Sequence, residues 1–287
     1  VFDTFAEWDV SVSDSVTIHG RSGGEGPPVV LLHGHPRTHT TWYRVAPQLA
    51  EAGLTVVCPD LRGYGRSAKP DPDENHEVYC DRAMAADIVA LMRSLGHRRF
   101  AVVGHDRGSY VAYRTALDHP DSVSRLGVLD SVPILEALER AGTKFATAWW
   151  HWFFLGASPH AERVITADPL TWYRPNEKAM GRENYLDMTR AVTNPATVRA
   201  MLEDYRAGLT VDRAHDEADR AAQRVISCPT LVAWSVRDDM EDLYGDPVGI
   251  WRSWVSGELT SARIESGHHM AEENPDQLSE TLVRFLR

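Results

Sequence analysis

Cysteine is scarce in this chain: Cys58, Cys80 and Cys228 are the only three in 287 residues. An odd number at wide spacing, with no C-x-x-C pair, excludes a disulfide framework and suits a reducing compartment. All three are expected to be structural. Positive charge is short as well, with 30 Lys and Arg against 41 Asp and Glu and a net charge of −11. That balance leaves no footprint for a phosphate backbone, so nucleic acid is excluded as a partner. Missing too is any apolar run long enough to span a bilayer, and the opening VFDTFAEWDV carries acidic residues where a signal peptide has a continuous apolar stretch. A soluble, cytoplasmic protein is the expectation. The chain also lacks internal repeats, low-complexity segments and a dinucleotide fingerprint, and its histidines are scattered, with His268-His269 lacking partners at ligand spacing. No cofactor and no metal are therefore expected.

What is present is an ordinary globular composition, 43% apolar and 25% charged, enough for one large core with an inserted subdomain. Short β-branched runs recur at Pro28–Leu32, Leu54–Cys58, Phe100–Val103 and Leu126–Leu129. Runs of this kind predict strands buried on both faces. Between two of them, Asp81–Met92 places apolar residues three and four apart, a helix that leads through Gly96 into the Phe100 strand. Strand, helix, strand alternation predicts a mostly parallel sheet flanked by helices. After Pro133 the character changes: Ala146–Phe154 is crowded with aromatics, and helical stretches continue to about Gly208. The strand signal returns at Thr230–Trp234 and Ser261–Ile264. The expected division is a core of residues 1–133 and 211–287 with a helical cap, or lid, of residues 134–210.

In such a sheet the chemistry sits just beyond the carboxyl ends of the strands. There the Phe100 strand runs into Gly104-His105-Asp106-Arg107-Gly108 and then a helix pattern. Glycines two residues either side of a central residue allow the sharp strand-to-helix bend that exposes its side chain, the nucleophile elbow of the α/β-hydrolase fold. The occupant here is Asp106, at a helix N-terminus that favours a carboxylate. His33-Gly34-His35-Pro36 follows the Val29 strand, where this fold supplies one oxyanion-hole N–H, so His35 and Arg107 are the expected backbone donors. Gly267-His268 follows the last strand, where the base belongs. The acid that orients His268 is open on position alone, because Asp130 ends the Leu126 strand while Asp238 and Asp239 follow the Thr230 strand.

A carboxylate nucleophile suits displacement at a saturated carbon, giving an ester that water then opens. His268 would activate that water, and the His35 and Arg107 N–H groups would hold the oxyanion. Carbon–halogen bonds and epoxides of a small-molecule substrate both satisfy this scheme.

Over nearly its whole length the chain resembles the fluoroacetate dehalogenase group of α/β-hydrolases, which is related to epoxide hydrolases. The segments that carry the likeness include His33-Gly34-His35-Pro36, Asp60–Gly65, Gly104–Gly108, Val128-Leu129-Asp130, Trp150-His151-Trp152, Asp204–Gly208 and Gly267-His268. The resemblance implies that Asp106 is the nucleophile and Asp130 the triad acid. It further implies that His151, Trp152 and Tyr205 hold the departing halide and that Arg107 binds the substrate carboxylate. Indole, imidazole and phenol each offer a donor to a halide in an otherwise apolar pocket. The family's second carboxylate-binding arginine is Tyr110 here, which admits a less acidic or larger substrate. Arg114 lies one helical turn further on and is not taken as its substitute, whereas Arg37, on the oxyanion loop, is a candidate to reach the site. Relatives with a His and Tyr lid pair act on epoxides, so His151 and Tyr205 as acids form the alternative. The resemblance also implies a homodimer.

Overall fold

The structure, a computed structural model, describes residues 2–287. Eight strands build one sheet: β1 (Ala6–Ser11), β2 (Thr17–Gly23), β3 (Pro28–Leu32), β4 (Thr55–Pro59), β5 (Phe100–His105), β6 (Val123–Leu129), β7 (Thr230–Ser235) and β8 (Leu259–Ile264). Their spatial order is β1-β2-β4-β3-β5-β6-β7-β8. From β4 to β8 all neighbours are parallel, and β1 and β2 add an antiparallel edge.

The continuous apolar runs follow from burial on both faces. Side chains alternate along a strand, so Val30 and Leu32 join Val102, Val128 and Val232 in one core, while Val29 and Leu31 join Val103, Leu129 and Leu231 in the other. Register fixes those layers: Val30 pairs with Val102 and Val128 with Val232. The six parallel strands agree with the sequence pattern. The β1–β2 hairpin lay outside it, because an edge strand with Glu7 and Asp9 on its accessible face shows neither a long apolar run nor a strong β-branched signal.

The chain leaves the sheet after β6 and returns at β7, and between them lies the expected helical insertion. Its helices include Thr143–Ala148, His151–Gly156, Arg182–Val192 and Pro195–Ala207. Trp152, Leu155, Met201 and Tyr205 belong to the same buried cluster as the strand residues beneath. Each such side chain contributes roughly 1.5–3 kcal/mol by leaving water, so the insertion is held to the sheet by a shared core. The exit from the cap is a π-helical turn, Gly208–Asp212, leading into the Arg213–Ala221 helix. No helix among the described residues is long and apolar enough to cross a membrane.

Candidate active site

The ends of β3, β5, β6, β7 and β8 face the cap across a cavity of about 600 Å³. Asp106 stands at its floor, between β5 and the Arg107–Asp118 helix, with φ 52° and ψ −123°. This backbone state costs a residue with a Cβ about 1–3 kcal/mol and persists only where its surroundings enforce it. The enforcement is visible. A Cβ on Gly104 would lie 2.1 Å from the Gly108 carbonyl oxygen, and one on Gly108 would lie 2.4 Å from the His33 carbonyl oxygen. Ser109 Oγ closes the turn by donating to the Gly104 carbonyl at 2.6 Å.

Gly34 brings the β3 loop against Asp106, since a Cβ there would sit 2.3 Å from Oδ1. The His35 backbone N–H then donates to Asp106 Oδ1 at 2.7 Å, and the Arg107 N–H acts on the same carboxylate. Burial opposes ionisation of Asp106, but the hydrogen bond and charge of His268 outweigh it and hold the carboxyl well below the usual range. The His35 imidazole itself is pushed down to about 3, chiefly by burial, and stays neutral.

His268 Nε2 lies 3.7 Å from Asp106 Oδ2. Its Nδ1 meets two carboxylates, Asp130 Oδ2 at 3.2 Å and Asp238 Oδ2 at 3.0 Å. Asp130, at the end of β6, is fully buried and also accepts from the Ser235 backbone N–H at 2.9 Å. Asp238 is more open, with 28% of its side chain accessible. Burial disfavours the imidazolium, yet the hydrogen bonds to Asp106, Asp130 and Asp238 raise His268 well above its ordinary value. The His268 carbonyl accepts from His105 Nε2 at 2.7 Å, which fixes the loop after β8.

The cap supplies the roof. His151, Trp152 and Tyr205 all line the cavity, with Tyr205 ring centroids 6.2 Å from His151 and 6.3 Å from Trp152. None of these three side chains has a hydrogen-bond partner among the described residues. Tyr110 joins them from below, edge-on to Trp152 at 6.0 Å.

Arg107 is placed otherwise than the resemblance implied. Its guanidinium is 1% exposed and absent from the cavity wall. Nε and Nη2 hold the Asp204 carboxylate, Nη2 also donates to the Asp204 carbonyl at 2.8 Å, and the Tyr110 and Tyr205 rings cover it at 5.0 and 4.8 Å. Arg37 does reach the wall, but its Nε and Nη2 grip Glu272 at 2.7 and 3.1 Å. Arg114 is far from it, buried against Asp216 and Asp219. The sequence reading missed Trp149, which stacks on Trp152 at 5.3 Å and donates to Asp239 at 2.7 Å. Its place in the aromatic run was the available signal. It also missed Arg174 at the cavity wall, an exposed side chain in a stretch with no motif to mark it.

A strained aspartate at a strand-to-helix turn, two backbone donors on its carboxylate and a histidine backed by acids define a hydrolase with an α/β architecture and a carboxylate in the elbow. Residues 27–275 match the family described as alpha/beta hydrolase fold. The chain is 40% identical to a fluoroacetate dehalogenase of Burkholderia sp., covering 100% of this chain and 95% of that one. It is 32% identical to a soluble epoxide hydrolase of Corynebacterium sp. (strain C12), with 93% of each covered. A solved structure from Nostoc sp. PCC 7120, described as an alpha/beta hydrolase, superposes with a TM-score of 0.95 at 37% identity, covering 100% and 99% of the two chains. The chain belongs to the α/β-hydrolase fold family. Within it, the protein is a catalytic-triad hydrolase of the dehalogenase and epoxide hydrolase branch.

Proposed function

We propose that the protein hydrolyses the carbon–halogen bond of a short 2-haloacid through an ester on Asp106. Oδ1 is held by the His35 N–H, which leaves Oδ2 to attack the carbon that bears the halogen. The halide leaves with the bonding electrons, and the substrate carbon becomes esterified to Asp106. His268 then takes a proton from water, whose oxygen attacks Cγ of Asp106; the charge that develops on Oδ1 falls to the His35 and Arg107 N–H groups. Collapse releases the hydroxy acid and restores the carboxylate. Asp130 orients the imidazole as triad acid, with Asp238 sharing the same nitrogen.

The observation that carries this reading is the set of donors over Asp106. Trp152 Nε1 is a donor that cannot serve as a practical acid, so it suits a departing anion better than an alkoxide that needs a proton. With His151 and Tyr205 it forms a cage suited to a halide. Free halide released from fluoroacetate, chloroacetate and bromoacetate, and lost in Asp106→Asn, tests it; no halide from any haloacid contradicts it.

A second reading, epoxide hydrolysis with His151 and Tyr205 as acids, is favoured by the arginines. Arg107 is committed to Asp204 and Arg37 to Glu272, and Tyr110 stands where a second arginine would face the substrate. Tyr110 is therefore the neutral neighbour that a substrate carboxylate would meet at that place, and the cation on the wall without an acidic partner among the described residues is Arg174. Diol from an epoxide panel without halide release supports this reading.

The same proposal counts the cap as residues 134–210 and places the protein in the cytoplasm, with free thiols at Cys58, Cys80 and Cys228. It includes a homodimer formed through the cap, where Trp150 and Phe153 are 50% and 44% exposed.

A further inference from the structure

Outside the cavity, the point where the cap returns to the core carries a second constellation. The π-helical turn Gly208–Asp212 runs straight into the Arg213–Ala221 helix, so Asp212 and His215 are three residues apart on one face. Opposite them begins the Asp81–Ser94 helix, whose cap is Cys80; the Asp81 N–H donates to Asp212 Oδ1 at 2.9 Å. One ligand-capable atom from each of Cys80, Asp212 and His215 lies within 4.8 Å of the other two.

What marks the cluster is its unsatisfied lone pairs. Asp212 Oδ2, His215 Nδ1 and both carboxylate oxygens of Asp81 are buried without a hydrogen-bond partner. Asp81 is 1% exposed and Asp212 2%. Buried polar atoms are almost always paired, and an exception calls for a physical reason. Asp81 and Asp212 bring two buried carboxylates side by side, the Asp81 N–H bonded to Asp212 Oδ1, and like charges so placed repel unless a cation lies between them. A cation is a partner that satisfies several such acceptor atoms at once.

We propose that Cys80, Asp212 and His215 bind a divalent transition-metal ion of the zinc type, with Asp81 or a water completing four-coordination. Thiolate, imidazole and carboxylate are the ligands that zinc takes, in tetrahedral array. Soft sulfur and imidazole together select it over magnesium or calcium, which take oxygen. Binding displaces the proton of the Cys80 thiol, because the thiolate is the form that ligates. The ion ties the cap's exit turn to a core helix 131 residues earlier in the chain. Its role is to anchor the cap, and it takes no part in the reaction at Asp106. Linear spacing hides the site, since the ligands fall in two segments that only the fold brings together.

The test is a titration of the reduced, chelator-stripped full chain with Co2+, followed by displacement with Zn2+. The expected result is one equivalent of Co2+ with a near-ultraviolet thiolate-to-cobalt charge-transfer band that Zn2+ abolishes. Cys80→Ser should lose the band, and His215→Gln should weaken binding about a hundredfold, while Cys58→Ser and Cys228→Ser retain it. No charge-transfer band in the unmodified protein, or a band that survives Cys80→Ser, overturns the proposal. Should the variants fail to fold, alkylation of the unmodified protein decides: Zn2+ should slow modification of Cys80 at least about tenfold, and an equal rate with and without Zn2+ overturns the site.

Discussion

Asp130 and Asp238 approach the same nitrogen of His268, at 3.2 and 3.0 Å, from the end of β6 and the loop after β7. One N–H faces two carboxylates, and the two are not equivalent. Asp130 is locked by Ser235 and fully buried, whereas Asp238 is partly solvated. The first is placed to fix the ring, and the second mainly adds charge.

That difference predicts separate phenotypes. Asp130→Asn should lower kcat by about a hundredfold or more, through loss of ring orientation and of the charge facing it. Asp238→Asn should lower kcat by less than about tenfold on the plateau while moving the acid limb of the pH–rate profile to lower pH, because one of the groups that raise His268 is gone. Stability follows the same sign. A histidine whose folded value is raised contributes stability that is fully present below its unfolded value and is lost as pH rises through the folded one. Urea midpoints should therefore fall as pH rises above about 6.5, and by a smaller total in Asp238→Asn, whose window between unfolded and folded values is narrower. Identical pH profiles for the unmodified protein and Asp238→Asn contradict this division of labour.

Much of this was legible in the chain. The six parallel strands announced themselves because burial on both faces leaves continuous β-branched runs, and Asp106, His268 and His35, which line one cavity, each follow such a run. The β1–β2 edge did not announce itself, since four of the six residues of β1 are exposed. Nor could sequence show that Asp204, 97 residues from Arg107, takes its guanidinium, or that Glu272 takes Arg37 across 235 residues. Charge pairing over such distances is set by the cap's docking, which no local pattern encodes.

Tyr110 is the position where the substrate class should be adjustable. Tyr110→Arg places a cation at the cavity wall beneath Trp152 and should lower KM for haloacetate by about tenfold, the scale of one charge-assisted hydrogen bond. Epoxide turnover should not gain. Steady-state kinetics on both substrates check this, and an unchanged haloacetate KM argues against a carboxylate lying near Tyr110.

Trp152→Phe keeps the ring packing against Trp149 and Tyr110 but removes the indole N–H. If that donor holds the leaving halide, kcat for haloacid should fall about a hundredfold, with the thermal midpoint nearly unchanged. A fall in stability with proportionate loss of all activities would instead make Trp152 a packing residue.

The Arg107–Asp204 pair is a buried ion pair, and removing one partner strands the other. Asp204→Asn should destabilise the protein by about 3–5 kcal/mol, seen as a lower urea midpoint. It should also disturb Tyr205, whose ring lies on the guanidinium at 4.8 Å. A midpoint unchanged from the unmodified protein would show that the pair is dispensable.

Whether Asp106 is itself the nucleophile is decided by a single turnover in heavy-oxygen water, with enzyme in excess over haloacetate. The hydroxy-acid product should carry ordinary oxygen, taken from the Asp106 carboxylate, and the peptide that contains Asp106 should carry heavy oxygen. Product already carrying heavy oxygen in that first turnover, with Asp106 unlabelled, would mean that water attacks the substrate directly and that no ester forms.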